Sequence, residues 1–228
     1  MEDKYTYLFL DIVTIIGPLV LSFDKKVAFY QSWKSFVLSM LPVSLFYILW
    51  DIYFTKTGVW KFNVPFLTNN FYFKLPLEEY IFFIVVPYAC LFIYACLKAY
   101  FPQYSKKGGQ WFIPLFILSL GFTIIYFDKI YTAMTFGLLS VVLGYLIYFE
   151  KQLLEKIGTH LFLSWVVALI PMAYVNGILT SKPVLIYNNS ENCGFRIGTI
   201  PFEDFFYNLL FMVLMIVIFE KRQSFKHI

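Results

Sequence analysis

Histidine is nearly missing from this chain: two in 228 residues, His160 and His227. That excludes the histidine-rich di-iron membrane oxygenases and desaturases. Cysteine is scarce too. Cys90 and Cys96 share one apolar run and Cys193 lies in a loop, with neither metal-ligand spacing nor a disulfide framework. No Gly-x-Gly-x-x-Gly or Walker sequence occurs, which argues against a dinucleotide or nucleotide domain. No Asp-Asp-x-x-Asp occurs, which argues against magnesium-dependent prenyl transfer. No metal, no cofactor and no nucleic-acid partner is expected.

Charge is thin as well, at 14% of residues, whereas 60% are hydrophobic. With a mean hydropathy of +0.71, the composition fits an integral membrane protein and fits a soluble domain poorly. Aromatics reach 22%, with 28 Phe and 18 Tyr. Leu, Ile and Val alone could cover a lipid-facing surface, so this excess points to a large flat or cationic ligand. Met1-Glu2-Asp3-Lys4 carries no basic leader and no small-residue cleavage site follows. A retained first helix is therefore expected, and not a signal peptide.

Seven segments are long and apolar enough to span a bilayer: 5–23, 35–54, 77–100, 111–127, 130–149, 160–179 and 202–219. Several close on Phe-acid-Lys, as in Phe127-Asp128-Lys129, which reads as interfacial anchoring. Seven basic residues fall on the N-terminal side of the spans and eleven on the other. The positive-inside rule then puts the N-terminus outside and the C-terminus in the cytoplasm.

Two tetrapeptides organise the chain. Pro76-Leu77-Glu78-Glu79 and Pro201-Phe202-Glu203-Asp204 each head an apolar run, 125 residues apart. The same offset aligns Asp51 with Asn176, Thr55 with Thr180, Phe62 with Tyr187 and Asn63 with Asn188. A register held from one helix end through a loop into the next helix implies two related halves. The expected fold is all-α and membrane-integral: seven transmembrane helices as two parallel three-helix repeats plus a connecting helix. Repeat one covers 1–104, the connector 105–128 and repeat two 129–228. Lys106-Lys107-Gly108-Gly109 marks the boundary. The two long aromatic loops, holding Trp60 in one half and Tyr187 in the other, read as lids.

Proline and acids suit any helix start. Here the acids come as adjacent pairs, recur in both halves and open membrane-embedded segments, where ionisable groups are costly and usually functional. Residues four apart share a helix face. Glu78 thus stands over Phe82, Glu79 over Phe83, Glu203 over Tyr207 and Asp204 over Asn208. Asp51 and Asn176, ending the preceding helices, are placed to hydrogen-bond the acid pairs. Asp11 has no counterpart at the 125 offset, where Phe136 stands. Two adjacent carboxyls partly out of water cannot both ionise cheaply. One of each pair is expected to keep its proton and act as a general acid beside a general base. Glu78 and Glu203, the position that is Glu in both halves, are the expected principal acids, with Glu79 and Asp204 as partners. Phe82 and Tyr207 are expected to line the site. Phe83, Asn208, Pro76 and Pro201 complete the expected substrate contacts.

At these residues the chain resembles the non-flavin lycopene cyclase family, whose members occur as heterodimers of two small membrane subunits, as fusions, and as the cyclase half of fungal bifunctional enzymes. The resemblance rests on the two acidic tetrapeptides, with Phe205-Phe206-Tyr207-Asn208 after the second, and on the helix plan of the fused form. It implies cyclisation of the ψ-end groups of lycopene to β-ionone rings, giving β-carotene through γ-carotene. That reaction is an isomerisation without net redox, classed as an intramolecular lyase. The rival plan is a seven-helix transporter of two three-helix repeats, as in the SWEET family. Its composition fits less well, because the polar residues here gather at helix ends. A retinal protein would need a lysine within 202–219, and none is there.

Overall fold

The computed structural model describes residues 3–102 and 108–224. Among them are seven α-helices: α1 (Thr6–Leu21), α2 (Trp33–Thr57), α3 (Leu77–Tyr100), α4 (Phe112–Ile125), α5 (Ile130–Phe149), α6 (Lys151–Ser181) and α7 (Phe202–Ser224). Helix is what an apolar chain must form where no water can satisfy its backbone. By length and composition, six of these helices could cross a membrane, α4 together with the 3₁₀ turn Gly108–Trp111 before it. Helix α1 has 16 residues, or about 24 Å at 1.5 Å per residue. Helix α6 starts at Lys151, well before the expected 160. Its first turns are amphipathic: Leu154 and Ile157 are buried while Lys151 and Glu155 face out. Their charges hid this helical stretch in the sequence. Lys106 and Lys107, at the expected repeat boundary, lie outside the described residues.

Helix α3 packs on α1, α2 and α6, while α7 packs on α5, α2 and α6, and α4 leans on α5. The N-terminal and C-terminal halves therefore interlock, α2 lying against α7 and α6 against α3. The core between them is aromatic and aliphatic, with Tyr47, Phe136, Leu209, Leu210 and Met212 fully buried. At the far end of the bundle the 3₁₀ turn lies flat on α6. A Cβ at Gly158 would stand 2.7 Å from the carbonyl carbon of Gly108.

The two long loops join across the bundle. Strand β1 (Trp60–Phe62) pairs antiparallel with β4 (Leu185–Tyr187), and Lys61 faces Ile186 at the centre. The amide of Asn63 donates to the carbonyl of Val184 at 2.9 Å, and that of Asn188 to Val59 at 2.8 Å. Every one of these pairings maps onto itself or its mate at the 125 offset. Two short hairpins follow, β2 (Phe71–Tyr72) with β3 (Leu75–Pro76), and β5 (Arg196–Ile197) with β6 (Ile200–Pro201). The first turns on Phe73 and Lys74, both left-handed at φ +50° and +74°; the second turns on Gly198 at +63°. Two-residue hairpins favour such turns because they match strand twist. Each hairpin delivers its proline directly before an acid-bearing helix.

Candidate active site

Adjacent residues on a helix point about 100° apart, so the two acids of a pair have different surroundings. In the first half Glu79 accepts a hydrogen bond from the Tyr7 hydroxyl at 2.6 Å, bringing α1 to α3. Asp51, near the end of α2, is buried close by, with Oδ2 lacking a hydrogen-bond partner among the described residues. In the second half Asp204 accepts from Tyr131 at 2.6 Å, from Tyr187 at 2.9 Å and from the Asn176 amide at 3.1 Å. The geometry repeats in part: a carboxyl stands at 51 where the second half has the amide of Asn176, and Phe62, the counterpart of Tyr187, has no hydroxyl to donate. Burial, and then the negative charge of Asp204, hold the Tyr187 phenol above its ordinary range, so it stays a donor.

Glu78 and Glu203 face elsewhere. Glu78 accepts from the backbone N–H of Thr68 at 2.7 Å, and Glu203 from that of Cys193, also at 2.7 Å. Thr132 adds a second donor to Glu203 at 2.5 Å. These two acids are fully buried and tie the long loops to the helix starts. One oxygen of each has no hydrogen-bond partner among the described residues.

Glu79, Asp204, Asp51 and Asn176 open on one cavity of about 350 Å³. Its polar groups gather at the loop end and its remaining walls are apolar and aromatic. Phe82, Phe83 and Tyr207 line it, and so does Asn208, one turn below Asp204. Tyr207 packs edge-on against Tyr47 at 4.7 Å and Trp50 at 5.2 Å between ring centroids. Trp60 and Tyr187 roof the acids from the β1–β4 ladder, with Tyr131 stacked on Tyr187 at 5.9 Å.

The family model described as lycopene cyclase matches the chain twice, over residues 4–97 and again over 128–221. The chain belongs to the lycopene cyclase family. The double match places one copy of the family's unit on each side of α4. No curated protein and no solved structure gives a significant match. Membership in a lycopene cyclase family implies an enzyme acting on a carotenoid, and the long apolar helices fit a membrane protein.

The structure therefore brings six of the eight expected substrate contacts, and the second acid of each pair, to one cavity. It does not bring Glu78 and Glu203, the expected principal acids, to that cavity. The reason is local: the first acid of each pair turns toward the loop amides. Pro76 and Pro201 also stand back from the cavity, buried as the last residues of β3 and β6. Asp11 is buried, with Oδ2 unpartnered among the described residues. Tyr7 and Tyr131 occupy like places at an offset of 124, so Asp11 corresponds to Thr135, not to Phe136. The Thr135 hydroxyl is likewise buried and unpartnered. Sequence reasoning missed Tyr7 and Tyr131. Their signal was a tyrosine in the first turn of both α1 and α5, one residue out of register with the acid pairs.

Proposed function

We propose that the protein closes the ψ-end groups of lycopene into β-ionone rings, giving β-carotene through a one-ring intermediate. The observation that carries this is the opening of one acid from each half, Glu79 and Asp204, on a single aromatic-walled cavity. Such walls suit a cation formed out of water, and paired carboxyls suit the proton transfers at either end of its life.

Two carboxyls buried side by side on one cavity cannot both ionise cheaply, so the Asp51–Glu79 pair is the proton store. Its proton goes to C2 of the ψ-end, using the C1=C2 π electrons and leaving a tertiary cation at C1. The C5=C6 π electrons then form the C1–C6 bond, and the cation moves to C5. Asp204, with three donors aimed at its oxygens, takes the C6 proton. The C6–H electrons restore the C5=C6 double bond. One proton enters and one leaves, and nothing is oxidised. Tyr187 donates to Asp204 and stands close enough to feel the charges of Glu79 and Asp51, so it offers the path for returning the proton. Phe82 and Tyr207 face the cation, each worth roughly 0.5–2 kcal/mol when desolvated.

In this reading α1 to α7 all span the bilayer, as two parallel three-helix units over 1–104 and 129–228 joined by 105–128. The N-terminus and the acid end lie outside and the C-terminus in the cytoplasm. The transporter alternative is dropped, because the family match covers both halves. The test is expression in a lycopene-accumulating cell, with the pigments separated by chromatography. β-Carotene is expected. Unchanged lycopene, with the protein present in the membrane fraction, would refute the reading.

A further inference from the structure

The acid cavity does not end among the acids. It runs away from them between α1, α3 and α6, and its far wall reaches the outer surface of the bundle. Val13 on α1 and Tyr174 on α6 line it while 43% and 60% exposed. Helices α1 and α6 touch only lightly. The mouth between them is bordered by Pro18 and Pro171, neither of which can donate a backbone hydrogen bond to its helix.

The equivalent gap in the other half, between α2 and α5, is filled by side chains, although those two helices touch no more than α1 and α6 do. At the 125 offset, Met172, Val175 and Leu179 of α6 correspond to Tyr47, Trp50 and Phe54 of α2. These three aromatics are buried and packed ring to ring against Tyr207 and Tyr131. Only Asp51 of α2 and Tyr131 of α5 reach the cavity. One half carries a plug where the other carries a mouth.

We infer that the α1–α6 gap is the portal through which the polyene enters from the bilayer, one end at a time. This rests on the reading of the protein as a lycopene cyclase. Pockets of about 300–1,000 Å³ hold drug-sized ligands, and this one is near the lower limit. A forty-carbon polyene is at least as long as the hydrocarbon core is thick, about 30 Å. The cavity therefore takes one end group while the stem stays in lipid between Val13 and Tyr174. Cyclising the second end requires the half-finished product to back out and re-enter.

The test uses the full chain in lycopene-loaded vesicles. Val13→Trp narrows the mouth from its lipid-exposed lip. Val141→Trp adds the same bulk on α5, at a residue that faces lipid away from the cavity and is 68% exposed. Val13→Trp should slow cyclisation about tenfold or more at limiting lycopene, since a pocket that must admit one extra group discriminates on that scale; Val141→Trp should run at the unsubstituted rate. Full activity in Val13→Trp, or equal slowing in both, overturns the portal. If Val13→Trp does not insert, Val13→Cys treated with a bilayer-soluble maleimide replaces it, measured against the unsubstituted protein. Labelling should inhibit and lycopene should protect; labelling without inhibition overturns the portal. No cyclisation by the unsubstituted protein would refute the functional reading itself, and not the portal.

Discussion

Asp51→Asn isolates the stored proton. The replacement keeps side-chain volume and gives position 51 the amide that its counterpart Asn176 carries. An amide at 51 would donate to Glu79 as Asn176 donates to Asp204 at 3.1 Å. The fold therefore has a ready precedent for the new contact, and insertion should be unaffected. What disappears is one of the two buried carboxyls on the cavity, and with it the proton that the pair keeps. A positioned general acid contributes about 10²–10⁴-fold, so turnover should fall by that factor, or about 3–5 kcal/mol in the barrier. The assay is the initial rate of β-carotene formation in lycopene-loaded vesicles, normalised to inserted protein. Asp51→Glu restores a carboxyl and should recover part of the rate. If Asp51→Asn kept its rate within about threefold, well under one tenfold step of 1.4 kcal/mol, the pair would not be the proton source.

The same geometry makes further predictions. Glu79→Gln and Asp204→Asn should each cut cyclisation by at least about 10²-fold, whereas Glu78→Gln should keep most of it. The Gln carbonyl can still accept from the Thr68 amide, and equal losses at 78 and 79 would contradict the division of roles. Glu78→Ala, by contrast, should destabilise by about 1–3 kcal/mol, read in thermal aggregation of the detergent-solubilised protein, because the Thr68 amide loses its acceptor. Leucine at Phe82 or Tyr207 should slow turnover more than it lowers melting temperature; full activity in both would remove these rings from the cation's surroundings. Gly158→Ala should also cost about 1–3 kcal/mol, since its Cβ would meet backbone at 2.7 Å; an unshifted melting temperature would contradict the close approach. Finally, two polypeptides divided within 103–107 should reassemble, since α2 packs on α7 and α6 on α3. Activity from either piece alone would contradict a site drawn from both halves.

Much of this was legible in the residues. The paired tetrapeptides, the 125 offset and the placement of Asp51 and Asn176 beside the acids follow from a register that survives both loops. The hydrogen bond of Asn176 to Asp204 meets that expectation. Which acid of each pair faces the cavity was not legible. Helix periodicity separates the two by about 100° but does not say which side holds the loop amides of Thr68 and Cys193. Those amides capture Glu78 and Glu203. Tyr7 and Tyr131 escaped because one residue of slip between the first and second helices of each half moves them off the 125 register. The plug was hidden for another reason. Tyr47, Trp50 and Phe54 look like ordinary members of an aromatic-rich helix until Met172, Val175 and Leu179 are set beside them.

The central claim is that a carboxyl whose proton exchanges with water begins the reaction by protonating C2. Cyclisation in deuterated water, followed by mass spectrometry and proton magnetic resonance of the product, tests it most directly. The account predicts a single deuterium at C2 of each new ring, since the proton that Tyr187 returns to the Asp51–Glu79 pair exchanges with solvent before the next turnover. β-Carotene formed at full rate without that label would contradict it.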